Sequence, residues 1–372
     1  MTDFSFEALR RFPDVEAPNL YAVDASDRLI LDTAAERIQD AAHGDVIAIG
    51  DRYGALSLGA AALHGASGIR VHQDALSGEL AIRENARRLD LEDGIRTCGL
   101  EPRLVAGART VLLQLPRSLD ALDEIAQLIA EHAAPDVTVY AGGRVKHMTT
   151  AMNAVLARSF GSVSAGLARQ KSRVLTVSQP LAGIEPRWPK ASAHEGLTVW
   201  AHGAAFAGSR IDIGTRFLLG FLDRLAPDAE RAVDLGCGTG VLATRLAQLR
   251  PRLAVTASDQ SAAAVASALL TVTANGVADR VQVVRDDGLS RQADASVDAI
   301  VLNPPFHIGA SVHAGIALKL FAEAGRVLKT GGELLAVWNS HLRYRAQLEQ
   351  LVGRTEQLGR NEKFTVTRSV CG

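Results

Sequence analysis

The chain carries the same pattern twice. VIAIGDRYGAL (46–56) lies over AVDLGCGTGVL (232–242) at an offset of 186 residues. RVHQD, ending at Asp74, lies over VTASD, ending at Asp259, at an offset of 185, and LLQLPRS (112–118) lies over VLNPPFH (301–307) at 189. Three matches in one order at nearly constant spacing describe one unit used twice. Each match is a short apolar run of β type that ends in glycine, a carboxylate or proline, with helical patterns between the runs. Alternation of that kind predicts parallel sheets with covering helices, an α/β architecture in both halves.

In the first half the strand runs are 45–50, 68–74, 110–116, 136–143 and 173–180, with helices over 4–11, 31–42, 77–89, 119–132 and 148–160. In the second half they are 231–235, 254–258, 280–284, 299–303, 333–338 and 364–368, with helices over 214–225, 240–249, 261–275, 314–327 and 344–351. The stretch 181–195 holds Pro186 and Pro189 and reads as a linker between domains 1–180 and 196–372. A length of 372 residues suits two domains. The three cysteines, Cys98, Cys237 and Cys371, share no metal-like or redox spacing, so we expect a reduced, cytoplasmic protein without metal. The start lacks an apolar export region, and no run reaches the ~18 apolar residues of a membrane span. Few aromatics look exposed, and a monomer is expected.

The second half carries the chemistry. Val233-Asp234-Leu235-Gly236-Cys237-Gly238-Thr239-Gly240 is a strand, a glycine turn and a helix start. Glycines allow a tight turn and let a ligand approach the backbone. An acid just ahead of them disfavours a pyrophosphate but suits the ammonium of an amino acid. Asp259 closes the next strand, placed for two ribose hydroxyls. A third strand ends in Asp286-Asp287-Gly288, where a carboxylate suits an adenine amino group; Asp287, followed by glycine, is the better placed. The set points to S-adenosylmethionine over a dinucleotide. The fourth strand ends in Asn303-Pro304-Pro305-Phe306-His307. Two prolines remove two backbone donors and hold the chain extended. What remains is a rim of acceptors beside an aromatic face, which fits an exocyclic amine on a planar ring.

These motifs resemble those of class I S-adenosylmethionine-dependent methyltransferases. From SRIDIGTRFLL through VDLGCGTGVLA to NPPFH the chain is similar to the RsmC/RlmG family of ribosomal RNA guanine-N2 methyltransferases. VKHMTTAMNAVL (145–156) and NEKFTVTRS (361–369) resemble the family's inter-domain segment and closing strand. The resemblance covers nearly the whole chain. It implies a tandem duplication of a Rossmann-like fold, with a degenerate N-terminal copy, a catalytic C-terminal copy and a seven-stranded sheet whose last hairpin is antiparallel. It implies a cofactor site at Asp234, Gly236, Cys237, Gly238, Gly240, Asp259 and Asp287, with Asp212, Gly214 and Thr215 in a segment that closes over the methionine end. It implies Asn303, Pro304, Pro305 and Phe306 as the target-amine motif. S-adenosylhomocysteine is then the product, and ribosomal RNA or a ribosomal subunit the partner.

The N-terminal copy departs where it matters: Ala48 stands at the position of Asp234, Arg52 at Gly238, Tyr53 at Thr239, and Gln114-Leu115-Pro116-Arg117 replaces Asn-Pro-Pro-Phe. The bulky Arg-Tyr pair is expected to block cofactor. Net charge of −1 hides an asymmetry: residues 1–185 hold 24 acidic and 19 basic side chains, the rest 17 and 21. From Arg144 to Lys190 eight cations face only Glu185. Arg144, Lys146, Arg169, Lys171 and Arg173, with His307, are therefore candidates for an RNA backbone; a solvated face is the plainer reading. Two alternatives stay open. Protein glutamine-N5 methylation uses a similar Asn-Pro-Pro-aromatic turn, and a non-catalytic RNA-binding assembly factor would need only the basic stretch.

Overall fold

A computed structural model describes residues 4–304 and 310–372. It divides into two compact units, Met1–Trp188 and Pro189–Gly372.

The first unit holds β1 (Val46–Ile49), β2 (Ile69–His72), β3 (Ile95–Thr97), β4 (Thr110–Gln114), β5 (Thr138–Arg144), β6 (Phe160–Ala165) and β7 (Ser172–Pro180) in the order 3-2-1-4-5-7-6. The first five are parallel, and β7 runs antiparallel to both β5 and β6. Every residue of β1 and β4 is buried, as expected for central strands covered on both faces. Ile47, Ile49, Val111 and Leu113 pack on one side, and Val46, Ala48 and Leu112 on the other. Asp24 caps the helix Ala25–Gln39 in a reciprocal capping box with Asp27, which starts that helix six residues before its apolar periodicity becomes visible. The helix expected over 4–11 is a single 3-10 turn, Phe6–Ala8.

The second unit opens with a hairpin, β8 (Lys190–His194) and β9 (Leu197–Ala201). Part of the stretch read as a linker is therefore strand. The strand KASAH buries no residue and so shows no apolar alternation. On the side away from β8, the backbone of β9 bonds to a stripe of side chains on the helix Ala262–Ala274 and its cap. Thr198 N–H donates to Asn275 Oδ1 (3.0 Å), Trp200 N–H to Thr271 Oγ1 (3.0 Å) and His202 N–H to Ser267 Oγ (2.9 Å). Residues four apart on a helix share a face, so Ser267, Thr271 and Asn275 stand in for a neighbouring strand.

The main sheet of this unit has β10 (Arg231–Leu235), β11 (Ala254–Asp259), β12 (Val281–Arg285), β13 (Val297–Leu302), β14 (Leu328–Asn339), β15 (Gly353–Arg360) and β16 (Phe364–Cys371), in the order 12-11-10-13-14-16-15. Its pairing repeats the first sheet strand for strand, with β16 antiparallel to β14 and β15. The duplication extends to single residues: Ile47 lies opposite Arg70 and Val111, and Val233 opposite Thr256 and Ile300. This register corrects one sequence match. His72 corresponds to Ser258, so Gln73, not Asp74, corresponds to Asp259.

In both sheets the chain moves outward from the first strand and returns on its other side. Ligand crevices in such sheets open at that switch, at the carboxyl ends of the two strands. In the second unit these are the ends of β10 and β13.

Candidate functional site

β10 runs into the glycine turn. Gly236 and Cys237 N–H groups donate to the Ser258 carbonyl at the end of β11 (2.8 and 3.0 Å). Gly236, Gly238 and Gly240 all take positive φ, +70°, +53° and +78°. A Cβ on Gly236 or Gly238 would meet no atom within 4 Å, whereas one on Gly240 would meet the Cβ and Cα of Ala268 at 3.0 and 3.1 Å. The first two glycines thus keep space open above the turn. The third lets the following helix, Val241–Leu249, close onto its neighbour.

Asp234 is buried at the end of β10. One carboxylate oxygen accepts from Ala243 N–H (2.9 Å) in the first turn of that helix, and the other is buried without a partner. Burial, with a smaller push from the Asp259 charge, raises its pKa to about 7. An unsatisfied buried oxygen is costly and suits an incoming cation. Asp259 braces the turn from β11: Oδ2 accepts from Gly238 N–H and Oδ1 from Ser261 N–H, both at 2.9 Å. Asp286 turns inward to Ser290 Oγ and Arg291 N–H, while Asp287 is half-buried and holds Lys319 Nζ at 2.6 Å. The Cys237 thiol is buried, and burial followed by the Asp259 and Asp234 charges pushes its pKa well up. It stays protonated and serves as packing.

β13 delivers Asn303 against the helix Ile213–Leu219. Its Nδ2 donates to Thr215 Oγ1 (2.9 Å) and to Asp212 Oδ2 (3.2 Å), and Asp212 also caps that helix through Gly214 and Thr215 N–H. Asp212 can only accept when ionised, which fixes the amide with nitrogen toward it. Asn303 Oδ1 is left buried without a partner. Pro304 is buried beside it. Pro305, Phe306 and His307 lie outside the described residues.

A cavity at this edge is lined by Gly236, Cys237, Gly238, Asp212, Thr215 and Asn303, together with Phe206 and Arg210 from the segment after β9. Sequence reasoning passed over Phe206 and Arg210. The one available signal was their position just ahead of Asp212. Arg210 is exposed and has no side-chain partner among the described residues.

The structure separates the remaining candidates. Arg144 ends β5 and Lys146 follows it, Arg169 and Lys171 lie between β6 and β7, and Arg173 is near the start of β7; Val145 N–H donates to the Lys171 carbonyl (2.9 Å). All five belong to the first unit. There the turn after β1 has a different shape. Gly50 and Gly54 keep positive φ, but Arg52, at the Gly238 position, does not. Tyr53 points away, buried, with its hydroxyl on Asp14 (2.6 Å) and the Arg11 guanidinium 4.6 Å from its ring centre. The departure expected to block the site is therefore a change of backbone, with Arg52 exposed. Among the described residues there is no metal-binding cluster and no helix long and apolar enough to cross a membrane.

A glycine turn at the switch of a 3-2-1-4-5-7-6 sheet, with an acid before it and an amide on the adjoining strand, defines a class I S-adenosylmethionine-dependent methyltransferase. The family model for the Methyltransferase small domain matches residues 196–368, and that for the RLMG N-terminal domain matches 1–181. Ribosomal RNA large subunit methyltransferase G of Pseudomonas aeruginosa is 36% identical over 99% of this chain and 98% of its own. Its Streptomyces coelicolor counterpart is 34% identical over 99% of both. The chain belongs to this ribosomal RNA large subunit methyltransferase G family. Among solved structures, the T. thermophilus 16S rRNA N2 G1207 methyltransferase, in complex with AdoMet and guanosine, shares the fold with a TM-score of 0.70. It is 20% identical over 99% of this chain and 100% of that one.

Proposed function

We propose that this chain transfers the methyl group of S-adenosylmethionine to the exocyclic N2 amine of a guanine in large-subunit ribosomal RNA, as a cytoplasmic enzyme. The observation that carries the reading is the open acceptor of Asn303, buried, pinned through its nitrogen and facing no partner. The names of the full-length relatives support the substrate.

The residues present fit the cofactor. The open space over Gly236 and Gly238 admits it, the orphaned Asp234 oxygen suits its ammonium, and Arg210 suits its carboxylate. Asp259 would take ribose hydroxyls and Asp287 the adenine amine. When bound, S-adenosylmethionine supplies a methyl already activated on a sulfonium. The protein's task is then to position a weak nucleophile in line. Asn303 Oδ1 and the Pro304 carbonyl accept the two N–H bonds of the amine, which draws its lone pair out of conjugation and stabilises charge developing on nitrogen. The family motif assigns stacking on the base to Phe306. The guanine must leave its own stack first, at roughly a few kcal/mol unless the RNA is already open.

The test is transfer of labelled methyl to deproteinised ribosomal RNA and to each subunit, with nucleoside analysis. N2-methylguanosine in large-subunit RNA is expected. Label in protein alone would shift the assignment to glutamine-N5 methylation. Tight cofactor binding without any transfer would leave an assembly factor.

A further inference from the structure

We infer that Asn339 accepts the N1–H of the target guanine and so selects guanine over other bases that carry a 2-amino group. The inference rests on the guanine-N2 reading above and adds the residue that recognises the neighbouring part of the base's edge.

Asn339 is the last residue of β14, which lies beside β13 in the sheet. Leu302 is opposite Ala336 across these parallel strands, so the two chains reach the carboxyl edge together and Asn303 follows opposite Val337. Side chains two apart on a strand share a face. Val301 and Val337 belong to one core cluster, with Phe364 and with Leu218 of the helix Ile213–Leu219. Asn303 and Asn339, each two residues further on, therefore stand on that same face. Phe364 on β16 is the register partner of Asn339. It also lies near Asn303, since a Cβ on Gly214 would be 3.3 Å from both Phe364 Cε1 and Asn303 Oδ1. With strands about 5 Å apart and a rise of about 3.3 Å per residue, the two asparagine backbones are roughly 8 Å apart.

Both amides keep an unpaired oxygen. Asn339 Oδ1 is buried without a partner, as Asn303 Oδ1 is. Polar groups around it are already engaged: Ser340 Oγ bonds Thr365 Oγ1 (2.9 Å), and Asn361 Oδ1 accepts from Lys363 and Phe364 N–H (2.9 and 2.7 Å). A buried acceptor without a donor is costly, and a ligand that brings the donor removes that cost. Guanine carries its N1–H next to the 2-amine on one edge. With the amine at Asn303 Oδ1 and the Pro304 carbonyl, an acceptor for N1–H must lie on the same rim, where the adjoining strand places Asn339. 2-Aminopurine has the same amine, but its N1 bears no hydrogen and would set a lone pair against Oδ1.

The first unit lacks this arrangement. Its register puts Arg144 at the place of Asn339. Arg144 has Asp24 at 3.4 Å, and the oxygen of Gln114, at the Asn303 place, accepts from Ser26 Oγ (3.1 Å). The copy without the glycine turn offers neither acceptor.

The test uses large-subunit RNA ligated from fragments, with guanine or 2-aminopurine at the position that the methyl-transfer assay identifies. Single-turnover methylation is measured for the wild-type chain and Asn339→Leu, beside calorimetric S-adenosylmethionine binding and a melting curve. Wild type should prefer guanine by about 10- to 100-fold, the effect of one unmet buried acceptor. Asn339→Leu should lose about that factor on guanine, stay within about threefold of wild type on 2-aminopurine, and keep its cofactor affinity. The Asn339 side chain holds no hydrogen bond among the described residues, so Tm should not fall; if leucine packs badly, Asn339→Ala gives the same comparison. Equal losses on both RNAs would assign Asn339 a structural role, and equal wild-type rates on both would show that N1–H is not read. Either result overturns the proposal and leaves guanine-N2 methylation standing. A wild-type chain that methylates no guanine in any ribosomal RNA would overturn the substrate reading with it.

Discussion

Removing the Asn303 side chain separates chemistry from architecture. In Asn303→Ala two hydrogen bonds are lost, one to neutral Thr215 and one to the Asp212 carboxylate. Together they contribute roughly 2–4 kcal/mol. The same change deletes a buried oxygen that has no partner, whose burial costs roughly 1–3 kcal/mol. Asp212 keeps its bonds from Gly214 and Thr215 N–H, so the helix cap survives. The net loss is about 1 kcal/mol, which lowers Tm by roughly 2–4 °C in a unit of this size. Activity should fall far more. An acceptor aimed at charge developing on the reacting nitrogen acts like a preorganised oxyanion partner, and removal of one such group costs about 10²–10³ in kcat. The glycine turn and Asp234 are untouched, so cofactor Kd should stay within about threefold. The assay is single-turnover methylation of ribosomal RNA beside calorimetric cofactor binding and a melting curve. A kcat within about threefold of wild type, with binding intact, would refute the acceptor role.

Three further outcomes follow from the same geometry. Gly214 has an ordinary helical backbone, but a Cβ there would sit 3.0 Å from Asp212 Oδ2 and 3.3 Å from both Asn303 Oδ1 and Phe364 Cε1; in Gly214→Ala the helix preference for alanine, about 1 kcal/mol, is offset by these crowded contacts, so Tm should change little while kcat falls. Gly238→Ala has only its left-handed backbone to bear, roughly 1–2 kcal/mol, and should fold while losing cofactor affinity. Gly240→Ala adds the contact with Ala268 and should melt lower than Gly238→Ala. The Asp234 carboxyl, raised to about 7 by burial, is neutral below that pH and must release its proton to pair with an ammonium. Cofactor affinity should therefore rise with pH up to about 7, by at most about tenfold per unit, and Asp234→Asn should bind weakly with that dependence gone; calorimetry across the pH series checks both.

What was legible in the sequence was what repeats or what is buried. The continuous apolar runs of β1, β4, β10 and β13 and the glycine turn need only local pattern to be seen. Of the four edge strands only β12 was legible; β3, β6 and β15 were not. β15, GRTEQLGR, has Leu358 as its one large apolar residue, because one side of an edge strand faces solvent and its charges serve to block further pairing. β3 is three residues long. The hairpin β8–β9 hid because its outer edge is satisfied by Ser267, Thr271 and Asn275, a contact that no local period records. At the site, spacing identified Asp212 and Asn303 separately. Their hydrogen bond, 91 positions apart in the chain, is tertiary and turns an amide into an oriented acceptor.

The two copies show how little must move to make or silence such a site. Gly50 N–H to His72 carbonyl (2.9 Å) in the first unit repeats Gly236 N–H to Ser258 carbonyl (2.8 Å) in the second, so both turns begin with the same hydrogen bond. The acid then differs by three positions. In the second unit it stands on the strand as Asp234 and reaches Ala243 N–H with one oxygen, leaving the other open. In the first it stands in the turn as Asp51, reaches the equivalent Ser57 N–H, and spends both oxygens on the protein's own donors. The amide follows the same rule. Gln114, at the Asn303 position, gives its nitrogen to Asp27 (2.7 Å) while its oxygen accepts from Ser26 Oγ (3.1 Å), so no acceptor remains for a substrate. Fold and register are common to both units. Ligand capacity belongs to the copy whose buried oxygens are left unpaired, because only there does binding remove a cost that folding did not.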